Sequence, residues 1–188
     1  RCNYSFINLN VLIMKRNLLF LYAFLSLGLS IKSSAQIILL NSFNPSDAGS
    51  LCGIGYHADS SHIWIYGCNS NFLQCYDHSG NLLNSFTPPG GAANDVDIEI
   101  SPEQIEFHES NLPQGQLLFV HGENDATEIY AVDNTTGIII DTLQAKFGND
   151  HVVGGAYHPT RNTFFLVQDN VPGADLENLI AEIDPISG

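Results

Sequence analysis

Basic residues are scarce in this sequence. Lys and Arg together number 6 against 20 Asp and Glu, which gives a formal net charge of -14. A chain this acidic repels phosphate, so we expect no nucleic-acid binding of the usual kind. Charged residues make up 14% of the chain and hydrophobic residues 44%. This balance excludes a disordered tail, because there is ample apolar surface to bury, and 188 residues indicate about one domain.

Long apolar runs are also scarce. The clearest, residues 18–25, follows the basic pair Lys15-Arg16 and is followed in turn by the small residues 33–35. This order is typical of a bacterial secretory signal, and it predicts a signal peptide over residues 14–35 and an upstream leader over residues 1–13. The run is shorter than the ~20 residues that a membrane span needs. We therefore expect no transmembrane anchor after cleavage, and a secreted, cell-surface or periplasmic protein.

Common catalytic motifs are missing. The sequence contains no Gly-x-Ser-x-Gly, His-Glu-x-x-His or Cys-x-x-Cys pattern. We therefore assign no catalytic residue and favour a protein that is not an enzyme.

Cysteine is rare, with 4 in the chain, of which Cys2 falls in the leader. Cys68 and Cys75 flank the turn-like residues 69–71, so a disulfide between them across two strands is geometrically possible. Cys52 with Cys68 is the competing pair. Disulfides persist outside the cytoplasm, and three cysteines leave one without an internal partner.

A repeat of about fifty residues is the most informative feature. Each unit has an aromatic-His pair, a polar turn, an apolar run, a second loop, and a further apolar run that ends in Asp before a turn closed by Gly. The aromatic-His pairs are Tyr56-His57, Phe107-His108 and Tyr157-His158, and the Asp-to-Gly turns are residues 77–80, 133–137 and 184–188. We expect the three histidines to share one architectural position after the innermost strand.

The apolar runs are short, rich in Ile, Val, Phe and Tyr, and bounded by Asn, Asp, Ser and Gly, as strands and hairpins are. They predict an all-β chain of four-stranded antiparallel units over about 52–87, 95–143 and 152–188, with Trp64 packed between units. Residues 39–43 repeat residues 82–86 letter for letter. Residues 37–43 are therefore predicted to be an outermost strand without the first three strands of its unit.

Each unit resembles a blade of the secreted bacterial β-propellers of the NHL/YVTN-like superfamily. The features that carry the resemblance are a Gly-x-x-Tyr-His start, an apolar run and an Asp turn closed by Gly. They are also similar to propeller-containing surface proteins of Bacteroidota, which often have a C-terminal sorting domain for type IX secretion. The resemblance covers residues 36–188 and implies a β-propeller with about three blades present. Because propellers close with four to eight blades, it also implies that the sequence is a fragment.

An acidic strand is the candidate metal site. Asp95, Asp97 and Glu99 alternate with Val96, Ile98 and Ile100, which in a strand places the acids on one face and the apolar residues on the other. Three converging carboxylates can ligate Ca²⁺, the one cofactor that the sequence suggests. An ordinary solvated strand face has the same pattern.

Two corresponding loops predict a polar binding surface, because loops at one rim of a propeller are adjacent in space. Insertions in repeat proteins also map to loops, often on the functional rim, so residues 87–99 and 109–116 are a further predicted binding surface. The residues of the two loops are His121, Glu123, Asn124 and Asp125 in the middle unit and Gln168, Asp169 and Asn170 in the next.

Two functions remain open, since fold alone cannot choose between them. The first is a secreted, non-catalytic binding or adhesion scaffold whose partner is an extracellular glycan, protein or small molecule. The alternative is a Ca²⁺-dependent extracellular hydrolase of the lactonase, esterase or phytase-like propeller kind.

Overall fold

The computed structural model describes residues 41–45, 49–122, 127–147, 151–169 and 178–188. These residues form strands and no helix, which confirms the all-β prediction, and none of them belongs to a helix long and apolar enough to cross a membrane. The strands are β1 Leu51–His57, β2 His62–Gly67, β3 Leu73–Tyr76, β4 Leu82–Phe86, β5 Val96–Ile100, β6 Ile105–Phe107, β7 Ser110–Leu112, β8 Leu117–His121, β9 Glu128–Val132, β10 Ile139–Gln144, β11 Val152–His158, β12 Thr163–Gln168 and β13 Leu179–Ile183.

The strands pair antiparallel into three main sheets. Sheet 1 has the order β1-β2-β3-β4, sheet 2 the order β5-β8-β9-β10 and sheet 3 the order β11-β12-β13, while β6 and β7 form a separate hairpin. Sheets 1 and 2 are the four-stranded antiparallel units that the repeat predicts. Closure of such sheets into a propeller remains a prediction.

Sheet 2 is covered on both faces. One apolar cluster, which includes Trp64 and Phe119, lies between sheets 1 and 2, and another, which includes Val120 and Phe164, lies between sheets 2 and 3. All five residues of β8 are therefore buried. Trp64 is 2% exposed and stacks on Phe86 with ring centroids 5.5 Å apart, which confirms its predicted packing role.

The Asp-to-Gly turns form as the repeat predicts. In each turn the Asp Oδ1 accepts backbone N–H bonds, at 2.8 Å from Ser79 to Asp77, 2.7 Å from Thr136 to Asp133 and 2.7 Å from Ile186 to Asp184. These local bonds explain why Asp recurs at the end of the third strand of each sheet.

The shared position of the three histidines is wrong for the middle unit. Tyr56 lies opposite Ile63 and Tyr157 opposite Phe164, but the corresponding residue opposite Leu117 is Ile100. His108 instead lies in the turn between β6 and β7, with φ 47°. Residues 105–112 form the separate hairpin β6–β7, and its apolar residues, Phe107 among them, are buried between sheets 2 and 3. The aromatic-His pair of the middle unit therefore does not occupy the position that it has in sheets 1 and 3.

The predicted Cys68–Cys75 disulfide is also wrong. Cys52 bonds to Cys68 with their Cα atoms 5.1 Å apart, and Cys75 is free and buried. The antiparallel pairing of β1 with β2 sets Leu51 opposite Gly67, so the two bonded cysteines meet at the end of this hairpin. Cys75 lies in the middle of β3 opposite Trp64, where its side chain joins the core and burial raises its pKa to about 11.

Candidate binding rim

Four strand ends meet along one edge of sheets 2 and 3. Asp95 precedes β5, His121 ends β8, His151 precedes β11 and Asp169 follows β12. Backbone bonds join them in a chain: Gly122 N–H to the Asp95 carbonyl at 2.7 Å, Val152 N–H to the Gly122 carbonyl at 3.3 Å, and Asp169 N–H to the His151 carbonyl at 3.0 Å. We call the edge formed by Asp95, His121, His151 and Asp169 the rim.

Gly122 allows sheets 2 and 3 to approach each other closely at the centre of the rim. A Cβ atom at this position would overlap the backbone carbonyl of Val152. Only glycine permits this approach without moving one of the sheets, and the rim therefore depends on close contact between sheets 2 and 3 at this point.

One acid–histidine pair lies on the rim. Asp95 Oδ2 is 3.0 Å from His151 Nδ1, and the Asp95 side chain is 15% exposed whereas that of His151 is 40% exposed. His151 also has φ 56°, an uncommon conformation for a residue with a side chain. Backbone strain of this kind persists only where the surrounding structure holds it in place, here through the rim bonds.

Two rim side chains have buried polar atoms without a partner. His121 is 3% exposed, and within the described residues neither its Nδ1 nor its Nε2 has a hydrogen bond. Its ring meets the Tyr130 ring edge to face, with centroids 6.4 Å apart. Asp169 Oδ1 is likewise buried and unpaired among the described residues. A buried polar atom without a partner costs about 1–3 kcal/mol, so such atoms in a native structure point to an outside ligand or water.

The predicted loop surface falls partly on this rim. His121, Gln168 and Asp169 all lie at the ends of β8 and β12, and Gln168 is buried opposite Val152. Glu123, Asn124, Asp125 and Asn170 lie outside the described residues.

The rim also contains a residue that sequence reasoning did not place there. This residue is His151. The signal that it belongs to the rim is topological: the start of each innermost strand must meet the end of the strand paired with it, and His151 directly precedes β11.

The acidic strand has the predicted alternation, but its acidic face is covered. Val96 and Ile98 are buried against sheet 1. Asp97 instead faces sheet 3, where its Oδ2 accepts the Gly155 N–H at 2.8 Å while its Oδ1 accepts the Ile98 N–H at 2.9 Å. Burial raises the pKa of Asp97 despite these bonds. Burial, and to a smaller extent the charge of Asp97, raises the pKa of Glu99 to about 7.

The three acids do not form a metal cage. Within the described ranges, no group of three or more His, Cys, Asp or Glu side chains could hold a metal ion. Asp95 is engaged with His151, and both carboxylate oxygens of Asp97 accept backbone hydrogen bonds. The Ca²⁺ site at Asp95, Asp97 and Glu99 gains no support from this arrangement and remains a prediction.

The insertion at residues 109–116 lies at the other ends of the strands. Gln114 Nε2 donates to Asp59 Oδ2 at 3.0 Å, which joins the insertion to the β1–β2 turn. A small cleft of about 160 Å³ opens here, lined by Tyr56, His57 and Ser101 among others. It holds no unpaired buried polar side chain among the described residues, so the rim is the stronger candidate site.

No protein-family model matches the chain, and no curated protein is significantly similar to it. The geometry of the rim is therefore the main guide to function.

Proposed function

We propose that this chain is an extracellular, non-catalytic binding module of β-propeller type, and that its rim binds a hydroxyl-rich ligand such as a glycan. The observation behind the proposal is that His121 Nδ1, His121 Nε2 and Asp169 Oδ1 are buried on the rim and have no hydrogen-bond partner among the described residues. A neutral imidazole offers one donor and one acceptor, and a carboxylate offers acceptors only. Sugar hydroxyls both donate and accept, so they can satisfy both groups at once.

Three features support a scaffold rather than a catalyst. The rim elements are joined by backbone bonds across two packed sheets, which gives a rigid surface. The chain contains none of the common nucleophile motifs. The stacking of similar antiparallel sheets on one another is the arrangement that propeller blades have, and export as predicted from residues 14–35 would place the rim outside the cell.

The test is binding of the full chain to an array of glycans, followed by calorimetry on any hit. We expect Asp169→Asn, which keeps the shape of the side chain but removes its charge, to weaken binding at least tenfold. Glu106→Gln is the matched control because Glu106 is exposed on β6, in the separate hairpin. Binding that is unchanged in Asp169→Asn and His121→Gln, with melting temperatures near that of the wild type, would refute the rim as the site. Binding to proteins but to no glycan would refute the ligand class.

A hydrolase is the second candidate, and one observation favours it. The pKa of Glu99 is raised to about 7 by burial and by Asp97, and carboxyl groups with such values are suited to general acid–base catalysis. We would assay the full chain for hydrolysis of lactones, esters and phosphate esters with and without Ca²⁺. Ca²⁺-dependent turnover that is lost in Glu99→Gln and kept in Glu106→Gln would favour this candidate over the binding module.

A further inference from the structure

The side chains of the rim face two different sides of sheet 2. Asp95 pairs with His151, which leads into sheet 3. His121 instead shares a face of β8 with Phe119, because alternate residues of a strand lie on one face, and Phe119 packs in the cluster between sheets 1 and 2. The ring contact of His121 with Tyr130, another member of that cluster, agrees with this placement. The His121 side of the rim is therefore a separate environment from the Asp95–His151 pair.

Three polar side chains adjoin one another on this side. His121 and Glu128 lie directly opposite each other in β8 and β9, where the Cβ atoms of such pairs are about 5 Å apart. Tyr130 lies on the same face of β9 as Glu128, and its hydroxyl donates to Glu128 Oε2. Burial, followed by the hydrogen bond and charge of Glu128, raises the pKa of Tyr130, so the phenol keeps its proton and directs it at the carboxylate. The Tyr130 oxygen is left as an acceptor beside an imidazole that, when neutral, offers one donor and one acceptor.

A tight turn at residues 88–91 covers these groups. A backbone hydrogen bond of 3.3 Å joins its last residue to its first, and Gly90, its third residue, has φ 76°, as type II turns require at this position. A Cβ atom at Gly90 would lie 2.9 Å from His121 Cδ2 and 3.0 Å from the Tyr130 hydroxyl oxygen. Gly90 therefore rests on the junction of the two side chains, and only a residue without a side chain can lie so close.

The segment that contains this turn is anchored at Ala93 and free at its tip. The Ala93 N–H donates to the Tyr66 hydroxyl at 3.0 Å, and the Ala93 carbonyl accepts the Asn69 N–H at 2.8 Å. Gly90 and Gly91, in contrast, are exposed and both have positive φ. Among the described residues, no atom beyond its chain neighbours lies within 4 Å of a Cβ placed on Gly91. Consecutive glycines have the backbone freedom that a hinge needs, so the tip can lift without disturbing the strands.

We propose that His121, Tyr130 and Glu128 form a hydroxyl-binding subsite on the sheet 1 side of the rim, and that the turn at residues 88–91 is a lid that opens to admit the ligand. The subsite is part of the glycan site and so rests on the proposed function. His121 is 3% exposed, so a ligand reaches its nitrogens only when a neighbouring element moves. β8 and β9 are held between sheets 1 and 3, which leaves the turn as the element that moves.

The groups under the lid fit neighbouring hydroxyls of a neutral sugar. One hydroxyl can donate to the Tyr130 oxygen while a second accepts from the protonated nitrogen of His121. Each buried group is then paired, which removes the cost of leaving it without a partner. The Glu128 carboxylate beside them repels anionic groups, so a neutral sugar fits this subsite better than a carboxylated one.

Chemical labelling of His121 tests the lid without any ligand. Diethyl pyrocarbonate acylates accessible imidazole nitrogens, and mass spectrometry of the peptides follows each histidine separately. In the wild type we expect His121 to react at least tenfold more slowly than His78, which lies in an exposed turn. Gly90→Ala should speed the reaction of His121 at least tenfold, because the added methyl group displaces the turn from the ring. Gly91→Ala is the matched control, since Gly91 also has positive φ but has open space around it.

Two outcomes would overturn the lid. Labelling of His121 as fast as that of His78 in the wild type would show that nothing covers the ring, and this comparison needs no variant that could fail to fold. Equal acceleration in Gly90→Ala and Gly91→Ala, with similar melting temperatures, would show that the segment loosens as a whole and does not lift off His121.

Calorimetry with a glycan identified on the array tests the subsite. We expect Tyr130→Phe, which removes only the hydroxyl, to weaken binding at least tenfold while the protein still melts cooperatively. Tyr56→Phe is the matched control, because Tyr56 is 59% exposed near the opposite end of β1. The carboxylated analogue of the same glycan should bind the wild type at least tenfold more weakly than the neutral form.

The outcomes separate this subsite from the proposed function. Wild-type affinity in Tyr130→Phe, together with the expected loss in Asp169→Asn, would overturn the subsite and leave the glycan site in place. Binding to no glycan at all would remove both. Equal affinity for the carboxylated and neutral forms would refute the selectivity assigned to Glu128.

Discussion

The Nδ1 atom of His108 lies 3.0 Å from Oδ1 of Asp141, at a position where β4, the corresponding strand of sheet 1, has asparagine. Asp141 lies opposite Ala131 as Asn84 lies opposite Cys75. Asn84 donates its amide to the next turn, which a carboxylate cannot do. Beside sheet 2, the backbone N–H of His108 in the β6–β7 hairpin donates instead, to the carbonyl of Pro185 in the turn after β13, at 2.8 Å. The inserted hairpin thus takes over the bond that Asp141 cannot make.

This pair predicts a pH-dependent contribution to stability. The hydrogen bond with Asp141 raises the pKa of His108, against the smaller opposing effect of burial. A raised histidine pKa stabilises the fold fully below the ordinary value of about 6.5, and the contribution is lost as pH rises through the folded-state pKa. Burial on its own would raise the pKa of Asp141, but the hydrogen bonds from His108 and backbone groups lower it overall. The stability that Asp141 contributes is therefore lost only when the pH falls into the acidic range.

We therefore expect His108→Asn to lower the melting temperature more at pH 5.5 than at pH 9. Asparagine tolerates the positive φ of this position, so the change removes the imidazole with little backbone penalty. His78→Asn, at an exposed turn position of sheet 1, is the control. Melting curves across this pH range provide the measurement. An equal loss at both pH values would show that the ion pair is not the source of the effect.

A side chain at Gly137 would clash with Phe86 across the interface of sheets 1 and 2. Gly137 has φ 72°, and a Cβ atom there would lie 2.5 Å from Phe86 Cγ. Gly137→Ala should therefore cost both backbone strain and packing, about 2–4 kcal/mol together. Gly91→Ala isolates the backbone cost, because Gly91 has φ 98° and open space around it. Urea unfolding of the two variants measures the difference.

A double variant identifies the clash as the cause. If Phe86 is the obstacle, Phe86→Ala combined with Gly137→Ala should destabilise the protein by less than the sum of the single changes. Simple additivity, or equal losses in Gly137→Ala and Gly91→Ala, would contradict the contact.

The turns could be predicted from the sequence because their cause is local. Asp133 bonds to the amides of Thr135 and Thr136, within three residues of itself, so the residues that make the turn are adjacent in the sequence. The same holds for the acid-apolar alternation of β5, which depends only on strand geometry. Local patterns of this kind were sufficient to predict the strands and turns of the repeat.

The innermost strand of sheet 2 could not be identified in the same way. The innermost strands of sheets 1 and 3 each contain two glycines, but β5 reads Val-Asp-Ile-Glu-Ile. The space between sheets is shared: Gly53 and Gly55 make room for Ile98, and Gly155 makes room beside Asp97. At each interface one of the two facing residues is small, and the two residues belong to different sheets that are about fifty residues apart in sequence. A local sequence pattern therefore does not show which of the two is the small one. For the same reason, the burial of Asp97 and Glu99 and the pairing of Asp95 with His151 were not visible from the acidic pattern.

The Cys52–Cys68 disulfide predicts a loss of stability on reduction. The bond closes a loop with a sequence separation of 16, for which the loss of unfolded-chain entropy corresponds to about 3 kcal/mol. We expect reduction, or the paired change Cys52→Ser with Cys68→Ser, to lower the free energy of unfolding by roughly this amount. Peptide mapping of the unreduced protein should recover the Cys52–Cys68 link, and a Cys68–Cys75 link would contradict the structure.

Cys75 provides the contrast within the same sheet. It is buried, and burial raises its pKa to about 11, so little of the reactive thiolate forms at neutral pH. We expect iodoacetamide to leave Cys75 unmodified in the native protein at pH 8 and to modify it after unfolding in urea. Rapid labelling of Cys75 in the native state would show that β3 is not covered as described.

Glu99 predicts the opposite pH dependence to that of Asp141. Its pKa is raised to about 7, first by burial and then by the charge of Asp97, whereas an unfolded glutamate titrates near 4.3. Folding therefore favours the protonated form, so the stabilising contribution is complete below the unfolded pKa and is lost as pH rises through about 7. Glu99→Gln, which resembles the protonated acid at every pH, should be more stable than the wild type at pH 8 by roughly 1–3 kcal/mol, and the advantage should vanish at pH 4. Glu106→Gln, on the exposed side of β6, should show no such pH trend in the same urea titrations. An advantage of Glu99→Gln that stays constant between pH 4 and pH 8 would mean that packing, rather than the burial of the Glu99 charge, separates the two proteins.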